Sequence, residues 1–292
     1  MKVNIAGKTD YPSHLRMLLT GDHNVGKTFL ATKAPNPLFV RCGESNVTTL
    51  AAEGCRYVEV ESEAELLSLK KALSSPTLEE DFAGPVDTLV IDSLDELQRI
   101  LLLKKMKADG RSTTSRDDWG WIATRLNAIA AGLKTLDMHL IFIVPSKDVS
   151  DGDSSVVKPA LQGAFVDQIH NYVDVSAIMT VQPMGAEDFG PEVADLNYLP
   201  LPGDRHLFVS PRVDAPWCGS KILDGDTIRM SDTLICDIID SLNEKRDAMG
   251  DSSSFVVTEE TDSPKEIEVP GMSSNEQIAE ILQQKKQKTG GN

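Results

Sequence analysis

No stretch of this chain approaches the roughly 20 consecutive apolar residues that a membrane-spanning helix requires, so no bilayer segment is expected. Its opening residues, Met1 to Lys8, hold no apolar segment of signal-peptide length. The four cysteines, Cys42, Cys55, Cys218 and Cys236, lack C-x-x-C spacing, which gives neither a zinc site nor a disulfide framework. The histidines (His14, His23, His139, His170 and His206) share no metal-ligand spacing. Aromatic residues make up only 5% of the chain, whereas 40% is hydrophobic, so a sizeable core must be mainly aliphatic. Basic residues are also in deficit, 29 Lys and Arg against 45 Asp and Glu. The resulting net charge of −16 excludes a surface that is basic all over and coats nucleic acid indiscriminately. A reduced, cytoplasmic compartment away from membranes is the expectation.

What the chain does have is Gly21-Asp22-His23-Asn24-Val25-Gly26-Lys27-Thr28, the G-x-x-x-x-G-K-[ST] spacing of a phosphate-binding loop. The glycines permit a tight turn whose successive N–H groups point inward around phosphates. Lys27 reaches the outer phosphates as a point charge, and Thr28 offers a hydroxyl to Mg²⁺. Context supports the pattern. The apolar run Leu15 to Thr20 before it reads as a buried strand, and the helix opening Thr28 to Ala34 after it stops at Pro35. A strand, a glycine-rich turn and a helix start aimed at an anion make ATP or GTP the expected ligand, with Gly21 through Phe29 contacting it. His23 occupies a loop position that tolerates most residue types.

Alternating strand and helix patterns continue along the chain. Pro37–Cys42 reads as a strand ending at Gly43-Glu44, and Tyr57–Val60 as another before the helix Glu63–Leu73. Val86–Ser93 is an apolar strand closing on Asp92, followed by a helix from Leu94 to about Lys107. A polar, basic loop, Asp109 to Asp117, leads into an amphipathic helix from about Trp119 to Leu136. Leu140–Val144 is the most apolar strand and ends at Pro145-Ser146-Lys147; a loop from Asp148 to Pro159 and a strand Val173–Met179 follow. The pattern predicts an α/β fold, a mostly parallel sheet covered by helices on both faces. Ligands in such sheets bind at the carboxyl ends of strands, where the P-loop, Glu44, Asp92 and Ser146 all fall. The organisation expected is an ATPase core over residues 1–233, a C-terminal helix over 234–249 and an acidic, flexible tail over 250–292. From Asp237 to Glu280 there are twelve acidic and three basic residues, too polar a composition to fold alone. Ser274 to Lys286 within the tail carries a short helical pattern.

Asp92 is the candidate Walker B carboxylate, placed to hold the Mg²⁺ water shell opposite Thr28; an ordinary helix-capping Asp is its alternative. Many AAA-type ATPases carry a Glu directly after that aspartate, but Ser93 stands here. Glu44, at the end of the neighbouring strand, is therefore the candidate base that orients or deprotonates water. Ser146 is a candidate sensor of the γ-phosphate.

Together, the P-loop, a Glu at the next strand end, Leu89-Val90-Ile91-Asp92-Ser93-Leu94 without an adjacent Glu, and an apolar strand ending in a polar residue resemble the RecA-type core. More narrowly, Trp119 before the long helix, Gly163 before the later strand and the stretch Arg205 to Lys221 make the chain similar to short, phage-encoded RecA-like ATPases of the single-strand-annealing group. The resemblance covers roughly Arg16 to Ile228. It implies a RecA-like P-loop NTPase fold, Mg²⁺-dependent ATP hydrolysis, self-assembly into a ring or filament, single-stranded DNA as partner and, if phage-encoded, the host cytoplasm. No appended DNA-binding domain precedes the core, so full strand exchange is not expected.

In that family the loops after the Walker B helix and after the sensor strand face DNA. The first region here carries Arg99, Lys104, Lys105, Lys107, Arg111 and Arg116, a density that suits phosphate contact; a solvated helix face is the alternative. The second, with Lys147 and Lys158 against Asp148, Asp151 and Asp153, is not basic. Trp119 and Trp121 cannot share one helix face, so at least one belongs to the core. Arg205, Arg212 and Lys221 are candidate cations that complete the site of a neighbouring subunit. The acidic tail is expected to restrain DNA binding or to hold a protein partner. The acidic balance equally suits a P-loop ATPase that serves as a regulatory or assembly module without nucleic acid. A small-molecule kinase is disfavoured, since no lid-like arginine cluster follows the sensor strand.

Overall fold

Every residue from Leu140 to Val144 is at most 2% exposed, as a central strand covered on both faces must be. The computed structural model describes residues 11–43, 47–75, 77–151, 154–182, 204–212, 214–223 and 227–249. In chain order the elements are β1 (Arg16–Gly21), α1 (Lys27–Thr32), β2 (Pro37–Cys42), α2 (Thr48–Ala52), β3 (Arg56–Val60), α3 (Glu63–Leu73), α4 (Leu78–Asp81) and β4 (Thr88–Asp92). Then come α5 (Leu94–Ala108), α6 (Arg116–Leu133), β5 (His139–Asp151), β6 (Ser154–Pro159) and α7 (Phe165–Gln168). The last are β7 (Val175–Gln182), β8 (Asp204–Phe208), β9 (Gly219–Ser220), β10 (Thr227–Arg229) and α8 (Leu234–Ala248). These elements all lie in one compact unit, residues 1–252; a second unit, 253–292, falls outside the described residues. The expected tail and its helical pattern at Ser274 to Lys286 lie there.

The main sheet runs β10-β8-β7-β1-β5-β4-β2-β3. From β7 to β3 the neighbours are parallel, and β8 and β10 add an antiparallel edge. This is the expected mostly parallel α/β sheet with helices on both faces. Strand β5 is inserted between the P-loop strand β1 and the Asp92 strand β4. The side-chain period of two divides each strand between two cores. Leu18, Val40, Ile91, Phe142 and Val144 join α3, α5 and α6 on one face. Leu19, Phe39, Val90, Ile141 and Ile143 join α1 and α8 on the other. Burying a side chain such as Phe142 or Phe39 contributes about 1.5–3 kcal/mol, so two filled faces fix the register.

Two expectations about local structure are corrected. The segment Asp148 to Pro159 is not a loop: β5 runs on to Asp151 and pairs antiparallel with β6, with Val149 opposite Val156. Helix α6 starts at Arg116, not Trp119, because Ser115 caps it. The Ser115 amide donates to the Asp118 carboxylate at 2.7 Å, completing a capping box with the Ser115 hydroxyl and the third-residue amide.

Candidate active site

Strand β1 ends at Gly21, where an added Cβ would stand 2.4 Å from the Met179 carbonyl oxygen of β7. No side chain fits, so the chain turns there against the neighbouring strand. Gly26, with φ +101°, turns it into α1. That helix has only six residues, which leaves anion binding to the loop's amides and to Lys27 more than to a helix dipole. Lys27 is 8% exposed. Its Nζ donates to the carbonyl oxygens of Gly21 and Asp22 at 2.8 and 2.6 Å. Burial pushes its pKa down, opposed by Asp92, Asp22 and Asp95. Thr28 Oγ1 donates to Asp92 Oδ2 at 2.9 Å.

A cavity of about 680 Å³ opens between the loop and the carboxyl ends of β4 and β5. His23, Asn24, Gly26, Lys27, Thr28 and Phe29 line it from the loop, and Asp92, Ser93, Asp95, Glu96 and Arg99 line it from β4 and α5. Burial pushes the Asp92 and Asp95 carboxyls up; for Asp92 the Thr28 hydrogen bond and Lys27 oppose it. Asp95 Oδ1 is buried without a hydrogen-bond partner among the described residues. Asp92, Asp95 and Glu96 outnumber Lys27 and Arg99 in this lining, and a divalent cation would offset their repulsion of a triphosphate. Mg²⁺ takes hard oxygen ligands, usually one or two carboxylates with phosphate oxygens and water. The Thr28 hydroxyl and the Asp92 carboxylate, 2.9 Å apart, are oxygen donors of the kind such a cation takes. Among the described residues no cluster of three or more His, Cys, Asp or Glu side chains could hold a metal ion.

The other candidates are distributed more widely. Ser146 sits beside Pro145 on β5, and its hydroxyl donates to the Asp22 carboxylate on the loop's shoulder. Glu44 lies outside the described residues; Gly43 before it is described, and Glu96 Oε2 lies 2.7 Å from where a Gly43 Cβ would stand. Glu96 is held by Arg99 at 2.6 Å. Asp95, Glu96 and Arg99 are cavity residues that the sequence reading did not assign to the site. The available signal is position: α5 begins directly after Asp92-Ser93, so its first turn must hang over the strand ends. Arg205 lies against its own loop, its Nε 3.2 Å from where a Gly26 Cβ would stand. Arg212 pairs with Asp214 at 2.8 Å and stacks over Phe208 at 4.1 Å. Lys221 Nζ donates to the Val173 carbonyl at 2.9 Å. Both are engaged in structural contacts within the chain.

The basic region after β4 divides. Arg111 pairs with Asp118 at 2.6 Å and Asp109 at 2.7 Å, which holds the Asp118 carboxyl far below its usual range. Lys105 pairs with the same Asp109 at 2.7 Å. Those two close the α5–α6 turn, while Lys104, Lys107 and Arg116 remain exposed. Trp119 backs Gly163 and packs on the core. Trp121, half-buried, has Lys105 and Arg125 over its ring at 5.8 and 5.2 Å. Among the described residues no helix is long and apolar enough to cross a membrane.

A family model described as an AAA domain matches residues 13–198, which span the P-loop, β4, β5 and β7. No curated protein matches the chain. Among solved structures, a KaiC-like protein from the hyperthermophilic archaeon Pyrococcus horikoshii OT3 is similar at 12% identity, over 76% of this chain and 91% of that one, with a TM-score of 0.41.

Proposed function

The chain belongs to the AAA domain family, and on that footing we propose that it is a Mg²⁺-dependent, self-assembling ATPase that binds single-stranded DNA in recombination or strand annealing. The observation that carries the ATPase reading is the Thr28–Asp92 hydrogen bond beside a buried Lys27 in a carboxylate-lined cavity. When bound, Mg²⁺ would neutralise charge between the outer phosphates. Lys27 exchanges its two carbonyl acceptors for phosphate oxygens, and the loop amides hold the inner phosphates. Thr28 and Asp92 would hold the metal. Glu44 orients and deprotonates the attacking water, with Glu96 as the competing carboxylate, since Glu96 reaches the end of β2. Phosphate release from MgATP by the wild type, set against the Lys27→Ala variant, tests this reading. Near wild-type turnover in the variant would sink it.

DNA binding rests on Lys104, Lys107 and Arg116, exposed at one end of α5 and α6, and on the resemblance to annealing ATPases. The net charge of −16 favours the second reading, an assembly or regulatory ATPase without nucleic acid. Oligonucleotide binding that falls steeply with salt supports the first reading; no binding at low salt supports the second. A ring or filament, in the cytoplasm, is the form in which the protein acts in either case. Imaging particles with ATP and single-stranded DNA tests assembly and partner together.

A further inference from the structure

Arg205 is the feature that the proposed function leaves unused. It sits on β8, opposite Val181 of β7, and its carbonyl accepts from the Met230 amide at 2.8 Å, so its backbone is held from both sides. Its side chain crosses β7 to the phosphate loop. Nε and Cδ lie 3.2 and 3.4 Å from where a Cβ at Gly26 would stand. A side chain at position 26 would crowd this approach, and the φ of +101° favours glycine there as well. Arg205 is exposed, and among the described residues no carboxylate is within ion-pair distance of it. A guanidinium against Gly26 adds a second cation, beside Lys27, to the phosphate loop, an arrangement that an anion stabilises.

The direction of approach decides which part of the anion is met. In the sheet order, β4 and β2 lie on the β5 side of β1, whereas β7 and β8 lie on its other side. The Thr28–Asp92 bond marks the first side as that of the metal and the outer phosphates. Arg205 comes from the opposite flank. We propose that Arg205 is a nucleotide-retaining clamp that pairs with the inner phosphates of the nucleotide held by its own subunit, not a cation supplied to a neighbour's γ-phosphate. The inference rests on the nucleotide-binding reading of the loop. Guanidinium–phosphate pairs are bidentate and directional, which suits a fixed approach along one strand.

A clamp on the inner phosphates binds ATP and ADP alike. It strengthens ground and transition states equally, so it acts on KM and leaves kcat unchanged. The test measures fluorescent MgADP and MgATP affinity, and phosphate release at saturating ATP, for the full chain and its Arg205→Ala, Arg205→Gln and Arg205→Lys variants. Arg205→Ala and Arg205→Gln should weaken both nucleotides by roughly tenfold to a hundredfold, the worth of a charge-assisted contact. Turnover at saturation should stay at the wild-type value, and Arg205→Lys should recover part of the affinity. Unfolding temperatures without nucleotide should match the wild type, because the side chain is exposed. Unchanged ADP affinity in the variants overturns the clamp. So does a loss of turnover that is restored on mixing with Lys27→Ala subunits, which would reveal a trans cation. If the wild type itself binds no MgADP, the nucleotide reading of the loop fails first and the clamp falls with it.

Discussion

Replacing Lys27 with alanine removes a cation that is 8% exposed and already committed to two acceptors, the carbonyls of Gly21 and Asp22 at 2.8 and 2.6 Å. On nucleotide binding those two bonds must be exchanged for bonds to phosphate oxygens. A hydrogen bond to a charged group contributes about 1.5–3 kcal/mol, so two contribute about 3–6 kcal/mol. Bonds to phosphate join two charged groups and lie at the top of that range, about 6 kcal/mol for the pair, whereas the two carbonyl bonds given up join the same ammonium to neutral acceptors and offset about 1.5 kcal/mol each. About 3 kcal/mol remains, a factor of roughly 10² in affinity. The exchange explains why the free loop can bury a lysine at all: the carbonyls and the facing Asp92, Asp22 and Asp95 hold its charge until a phosphate arrives. Turnover should fall further than affinity, since charge on the outer phosphates grows towards the transition state. Titration with fluorescent MgADP measures the first effect and phosphate release the second. The reasoning is refuted if Lys27→Ala binds MgADP within twofold of the wild type, for then the lysine's partners in the free loop already use its full hydrogen-bonding capacity.

Glu44→Gln should keep MgATP affinity and lose turnover by roughly 10²–10⁴-fold, the range for a positioned base; a larger loss in Glu96→Gln, read in the same phosphate-release assay, transfers the role to the Arg99-paired carboxylate. His139 accepts a hydrogen bond from the Leu15 amide at 2.9 Å, and burial, with His14 beside it, lowers its pKa from 6.5 to about 4. Below pH 6.5 the unfolded chain gains a proton that the folded one refuses, so stability drains away between pH 6.5 and about 4. Urea unfolding at pH 7 and pH 5 should show a smaller acid loss in His139→Gln, and an equal loss in both proteins would count against this assignment. Residues 250–292 carry eight acidic and four basic side chains, so a chain ending at Met249 should bind single-stranded oligonucleotides more tightly. The gain should vanish near 1 M salt, where the Debye length is about 3 Å, and anisotropy titrations at two salt concentrations check both halves.

The sequence by itself determined the parts of the site that are contiguous or that terminate a patterned strand. Gly21 to Thr28 is legible because its spacing lies within one contiguous segment, although the contact that demands glycine at position 21 is with the Met179 carbonyl of β7. Asp92 follows from an apolar run that must end at the sheet's carboxyl edge, and its bond to Thr28 joins that edge to the start of α1 across β5. The hairpin of β5 and β6 was not read from the sequence, because the acidic residues Asp148, Asp151 and Asp153 make that segment look like a loop; the pairing came from the structure. Charge counts misled at Arg111 and Lys105, since a count records cations but not the Asp109 and Asp118 that occupy them. Only the tertiary structure set Arg205 against Gly26 and Glu96 against Gly43. Those contacts depend on which strands are neighbours, β7 and β8 flanking β1 on one side and β4 and β2 on the other. Strand order is decided by how helices pack over both faces at once, a property of the whole sheet that the periodicity of no single segment encodes.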